Sequence, residues 1–113
     1  MATKFNPNNQ LFIKLPDTIL CFQQNELLFV EANRSYSILC FEGRETIKIS
    51  KPMSWIIDKI EKGLLIKCHR SFVINRVKIK SIDTEKRIIN LTDDSTVPIS
   101  IRQLPEILKL IKN

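Results

Sequence analysis

Residues 67–75 read Lys67-Cys68-His69-Arg70-Ser71-Phe72-Val73-Ile74-Asn75 (KCHRSFVIN). A cationic, hydroxyl-bearing cluster runs into an apolar run that closes on asparagine. LLIKC (64–68) before the break and SFVIN (71–75) after it are short, β-branched or apolar runs, and both read as strands. The cluster holds the only histidine of the chain, beside one of its three cysteines. It is open to four readings: a catalytic dyad, a metal site, a nucleic-acid contact or a solvated strand end.

The same strand-and-turn grammar extends both ways. Upstream, LFIKL (11–15) and TILCF (18–22) flank Pro16-Asp17, and LLFVEA (27–32) leads through the turn NRSY (33–36) into YSILCFE (36–42). Gly43-Arg44 is a hairpin turn before ETIKIS (45–50), so residues 27–50 form a meander. Downstream lie VKIKSID (77–83), RIINLT (87–92) and STVPIS (95–100), with a turn at Asp93-Asp94-Ser95 and an edge position or bulge at Pro98.

Two helices interrupt the strands. In the first, Ser50 is the candidate N-cap, Pro52 sits in the first turn and Gly63 is the stop. Met53, Ile56, Ile57 and Ile60 make its apolar face, with Trp55 at the core edge. The second spans 101–112, with Ile101, Leu104, Leu108 and Ile111 at helical spacing. The expected fold is therefore mostly β with two short helices: a lead-in over 1–10 that is flexible, then one domain over 11–113.

With 113 residues the chain has room for one core, and its 43% apolar and 27% charged content is that of an ordinary globule. No apolar run approaches the roughly 18 residues of a membrane span, and the first ten residues carry no apolar signal core. Three cysteines without a secretory signal read as reduced thiols, two or three of them buried, in a cytoplasmic protein.

Catalytic readings fail on geometry. Neighbours on a strand point to opposite faces, so Cys68 and His69 do not form a nucleophile–base pair. Cys21, Cys40 and Cys68 stand far apart and the histidine is single, unlike the paired spacings of zinc sites. The two glycines, Gly43 and Gly63, make no phosphate-cradling loop. No catalytic residue, metal or cofactor is expected.

Charge points elsewhere. The net charge is +6, and between Glu61 and Asp83 there is no acid, although Lys62, Lys67, Arg70, Arg76, Lys78 and Lys80 all fall there. Such a window suits an anionic partner, most simply nucleic acid. Arg70 has a fork that can read guanine or clamp phosphate, and Ser71 and nearby backbone amides suit phosphate oxygens. Lys78 and Lys80, two apart on a strand, share one face, which is either a phosphate contact or simply solvated.

At this point three motifs converge. HRSFVIN (69–75) resembles the central His-Arg-Ser-(Tyr/Phe)-x-(Val/Ile)-Asn motif of the LytTR DNA-binding domain. LFVEANRSYSIL (28–39) resembles the same family's strand, Glu-Ala, short loop and Tyr. VPISIRQLPEILKLI (97–111) resembles its Ile-Pro-Val-Ser-x-Arg strand and closing helix. The likeness covers residues 11–112.

The resemblance implies elongated antiparallel β-sheets and sequence-specific binding of double-stranded DNA in bacterial transcription control. It implies loops, rather than a recognition helix, entering successive major grooves. Carried over, the contacts would come from Arg34 and Tyr36 in the first loop, His69, Arg70 and Ser71 in the second, and Arg102 in the third. Arg70 and Arg102 are then the base readers, with His69, Ser71, Lys78 and Lys80 positioning phosphate. Asn75 either joins the contact or bonds loop backbone, and Phe72 and Ile74 anchor the loop in the core.

The implied partner is a direct-repeat promoter site, with a second copy on the DNA and no membrane. Family members commonly carry a receiver domain, for which 113 residues leave no room, so the chain is expected to be a stand-alone regulator or an excised domain. The alternative is a protein-interaction module that keeps the fold without DNA specificity.

Overall fold

The structure is a computed structural model and describes residues 10–111. The lead-in expected over 1–10 lies outside the described residues but for Gln10, which opens a strand. The elements are β1 (Gln10–Lys14), β2 (Ile19–Gln23), β3 (Leu27–Asn33), β4 (Tyr36–Phe41), β5 (Arg44–Ile49), α1 (Met53–Lys59), β6 (Leu65–His69) and β7 (Phe72–Asn75). They continue with β8 (Ile79–Asp83), β9 (Ile88–Leu91), β10 (Thr96–Pro98) and α2 (Leu104–Leu110).

All pairings are antiparallel. A central five-stranded sheet has the order β5-β4-β3-β7-β6, a second sheet runs β10-β9-β8, and β1 pairs with β2. Alternation explains the central sheet. In β4, Ser37, Leu39 and Phe41 are buried on one face while Tyr36, Ile38 and Cys40 lie half-buried on the other. On one side a core of Ile13, Phe22, Val30, Leu39, Ile56 and Val73 joins the sheet to β1, β2 and α1. On the other, Ile66, Cys68, Ile74, Ile89, Leu91 and Ile107 join it to the three-stranded sheet and α2. β7 is thus covered on both faces, which is why its Phe-Val-Ile run is continuous rather than alternating. The extents are 43 × 36 × 24 Å.

Direction places the turns. β3 ends beside the start of β7 (Glu31 opposite Phe72), and β6 ends there too (His69 opposite Phe72). β4 begins, and β5 ends, at the same level (Asn33 opposite Tyr36, Ser37 opposite Ile49). One edge of the sheet, the loop edge, therefore carries the β3–β4 turn, the β6–β7 turn and the exit from β5. The amide of Ser100 donates to the carbonyl of Cys68 (2.9 Å) and that of Ile99 to the carbonyl of Arg87 (2.9 Å). These bonds bring the segment after β10 and the β8–β9 turn to the loop edge as well.

Several local expectations are corrected. Ser50 is exposed and caps nothing; Pro52 stands at the N-cap, because the residue before a proline is disfavoured in helical geometry and Lys51 turns outward. Ile57 stays exposed, leaving Ile56 and Ile60 as the buried residues of that face. Gly63, at φ +90°, serves the turn into β6 and not the helix end itself. At the C-terminus, residues 101–103 are a turn, with Ser100 Oγ accepting from the Gln103 amide (3.2 Å). Pro105 then falls in the first helical turn, and α2 buries Ile107, with Leu104 partly covered, instead of the stripe through Ile101, Leu108 and Ile111. Pro98 closes β10 at the edge of its sheet, where its missing N–H costs no ladder bond.

Asn75 is fully buried and its amide is spent within the fold. Nδ2 donates to the carbonyls of Gln24 (3.0 Å) and Leu27 (2.7 Å), and Oδ1 accepts from the Val77 amide (3.1 Å). Of its two readings, the shaping of backbone is the one realised, and a direct DNA contact is corrected. Its bond to Val77 also opens the 3-10 turn Arg76–Lys78, which delays β8 to Ile79. Replacing Asn75 by Ala strands two carbonyls and an amide. Asn75→Ala should cost about 2–3 kcal/mol, read as a lower urea midpoint at unchanged m-value.

Candidate nucleic-acid interface

The loop edge is built from three short turns. Arg34 and Ser35 form the two-residue β3–β4 turn, and Arg34 takes the left-handed conformation (φ +59°) that lets so tight a hairpin close. Its side chain is exposed at the tip. Tyr36 follows at the start of β4, half-buried, with Lys48 Nζ 3.8 Å from its ring centroid.

The second turn is fixed from within. The Ser71 amide donates to His69 Nδ1 (3.1 Å), and the His69 ring meets Phe72 edge-on with centroids 5.7 Å apart. In the neutral ring this leaves Nε2 as the donor. The Ser71 carbonyl accepts from the Ala32 amide (2.8 Å), tying this turn to the base of the first. The Ser71 amide, a sequence candidate for phosphate, is thus already engaged, and its hydroxyl remains. Phe72 and Ile74 anchor the turn as expected: Ile74 is buried and Phe72 packs beside it, against Phe29 at 5.9 Å. Arg70, between His69 and Ser71, is exposed.

The third turn, Ser100–Gln103, lies beside the second. Lys67, His69, Arg70, Ser100, Arg102 and Gln103 line one open groove of about 480 Å³, and no carboxylate is among them. The structure therefore brings Arg70 and Arg102 together, with Arg34 and Tyr36 one turn away. Sequence reasoning assigned no role to Lys67, Ser100, Gln103 or, in the β8–β9 turn, Arg87. Lys67 stood in the acid-free window and could have been found there. Arg87 sits behind Glu85, and only the Ile99–Arg87 bond across the fold reveals its place.

Two candidates lie elsewhere. Lys78 is in the 3-10 turn, not on a strand, and its Nζ meets Glu42 Oε1 at 2.6 Å, at the opposite edge of the sheet. Lys80 pairs with Asp94 (2.9 Å) beside the β9–β10 turn, at that same edge. The expectation that the two share one strand face is corrected, since Lys78 precedes the strand that holds Lys80; β7 also carries the chain about 13 Å away from Arg70, at about 3.3 Å per residue over four residues.

The Cys68–His69 pair is likewise separated. The thiol of Cys68 is buried and faces the Phe72 carbonyl (3.6 Å), while His69 is held by Ser71. Cys21 and Cys40 are only half-buried, so one thiol, not two or three, is in the core. Burial pushes the Cys68 thiol up to about 12. Burial, then the charges of Glu31 and Asp93, push Cys40 up to about 11.

The sequence matches the family model of the LytTr DNA-binding domain over residues 17–112. The chain belongs to this family of DNA-binding domains. Among solved structures it is similar to the LytTr DNA-binding domain of a Bacillus cereus protein described as a methyl-accepting/DNA response regulator. That likeness has a TM-score of 0.74 at 22% identity and covers 92% of this chain and 97% of that one. Comparison with curated proteins finds no match. The mostly β fold with two short helices is that of the family. Among the described residues no helix is long and apolar enough to cross a membrane.

The raised thiol values fix a sign. In the unfolded chain both thiols ionise near 9.0, whereas the native Cys68 and Cys40 hold their protons to about 12 and 11. The native state is therefore favoured fully below pH 9 and loses ground above it. Urea midpoints should fall between pH 9 and 11, and Cys68→Val should flatten that fall; an equal fall in both proteins would contradict the burial of this thiol.

Proposed function

We propose that the protein is a transcriptional regulator that binds double-stranded DNA sequence-specifically through its loop edge. The observation that carries this is the convergence of Arg34, Arg70 and Arg102 on one edge, none with a carboxylate partner among the described residues. DNA binding comes with the family; the geometry supports the finer assignments proposed here. Arg70 and Arg102 line one acid-free groove, and a guanidinium fork can donate to guanine O6 and N7 together. They read bases. Arg34 enters beside them, Tyr36 braces the first turn, and the His69 Nε2, Ser71 hydroxyl, Lys67 and Arg87 take phosphates. The turns enter successive major grooves on one face of the duplex. Two copies then occupy a direct repeat, arranged by the DNA.

The test is selection from a randomised duplex library, followed by binding to the enriched duplex and a scrambled one. Arg70→Ala and Arg102→Ala should each remove about 1–3 kcal/mol of discrimination. Lys78→Gln and Lys80→Gln should leave both discrimination and salt dependence as they are. Full discrimination in both arginine variants would refute the base-reading assignment. No enriched sequence at all, with a co-purifying protein instead, would favour the interaction-module alternative.

A further inference from the structure

The loop edge does not end at the first turn. Beyond β4 lies the corner where β5 leads into α1. Ile49 is opposite Ser37, and Ser37 Oγ donates to the Lys51 carbonyl (2.8 Å), so this corner is locked level with the β3–β4 turn. It presents cations on aromatic rings. Lys48 Nζ lies over Tyr36 at 3.8 Å, and Lys51 and Lys59 approach Trp55 at 5.2 and 4.8 Å.

Among the described residues the ion pairs hold Arg44, Lys78, Lys80 and Lys109, of which the first three belong to the opposite edge and the last to α2. Among the described residues Lys48 and Lys51 have no carboxylate within ion-pair distance. They line an open hollow of about 430 Å³ with Thr18 and Ser50, whose hydroxyls can also donate, and with one acid, Asp17.

We propose that this corner is a second DNA-contact surface, where Lys48 and Lys51 take backbone phosphates flanking the base-read segment; it rests on the reading of the loop edge given above. The ligand is phosphate and not base, because an ammonium is a point charge without the guanidinium's planar fork. The spacing suits it. From the β6–β7 turn to β5 is three to four strand spacings of about 4.8 Å, or about 17 Å, which is about five base-pair steps at 3.4 Å. The rings hold the two ammonium groups in place before DNA arrives, so few rotamers remain to be fixed on contact.

The test needs no known site. Salt dependence of binding is measured on a 30-base-pair duplex of mixed sequence for the wild type, K48Q/K51Q and K48R/K51R, with circular dichroism to establish that all three fold. Each lost phosphate contact lowers the log–log slope by about 0.9. The glutamine pair should lower its magnitude by about 1.8, the arginine pair should keep it, and discrimination between enriched and scrambled duplex should survive in both. Trp55, the only tryptophan, sits at the corner, so its emission should respond to duplex in the wild type and not in K48Q/K51Q. An unchanged slope overturns the proposal. A lowered slope with silent Trp55 assigns the lysines to long-range steering and overturns the contact. Intact discrimination with an unchanged slope removes this corner alone, whereas a lowered slope in a protein that discriminates nothing removes the base reading and keeps the corner.

Discussion

The pairing of β3 with β7 is the constraint on which the rest of the molecule depends. It joins the meander of residues 27–50 to the hairpin of residues 64–75, two units that each could pair internally. Because the pairing is antiparallel, the end of β3 and the start of β7 fall at the same edge, and the turns that follow and precede them are neighbours by necessity. The Ala32–Ser71 hydrogen bond is the last rung of that ladder and sets the first turn against the second. At the other end Asn75 closes the join, its amide reaching the carbonyls of Gln24 and Leu27 across some fifty residues of chain. A slip of one residue would send Val73 and Ile74 to each other's cores, so both faces enforce the register.

The second sheet and α2 do for the third turn what β3 does for the first. Their burial against Ile66, Cys68 and Ile74 is nonspecific in direction, but the Ser100–Cys68 bond is not. It fixes where the chain leaves the sheet, and Ser100 then folds residues 101–103 back on themselves. Arg102 is exposed as a result, on a turn pinned at both ends by β10 and α2. A side chain that must meet a base edge within a few tenths of an ångström gains from such a mount, since little backbone freedom remains to be lost on binding.

Much of this was legible in the sequence. Every strand inferred from alternation or apolar runs has its counterpart within two residues at either end, the last being the most shortened. The central motif also yielded its anchor residues, Phe72 and Ile74. What failed were features decided by a competitor not visible locally. Ser50 had the right chemistry for a cap, but the proline two residues later excludes Lys51 from the helix. The spacing of Ile101, Leu104, Leu108 and Ile111 was sound helical arithmetic, but the hydrogen bond from the Gln103 amide to Ser100 Oγ folds residues 101–103 into a turn, and the buried position is Ile107. Lys78 and Lys80 were in the basic window, yet their acids, Glu42 and Asp94, arrive from the β4–β5 and β9–β10 turns. Pairings of that kind are properties of topology, and one sequence read along its length contains no sign of them.

The sorting of charge follows from the same topology and bears on how far the interface extends. Exposed ion pairs of the kind formed by Lys80 and Asp94 add little to stability, about 0–1 kcal/mol. Their effect at the opposite edge is on the field: a cation beside a carboxylate looks like a dipole beyond the roughly 8 Å over which salt screens at physiological strength. The unpaired cations of the loop edge lie within a few such lengths of one another and their potentials sum. The ion pairs of Arg44, Lys78 and Lys80 offset part of the positive charge at the opposite edge, where Lys62 and Arg76 stay exposed outside them. The field of the loop edge does not stop at the last turn, and because Lys48 and Lys51 are unpaired too, it runs on to the β5–α1 corner. In the reading proposed above, a duplex long enough to reach that corner is held there by charge, while the arginines read sequence.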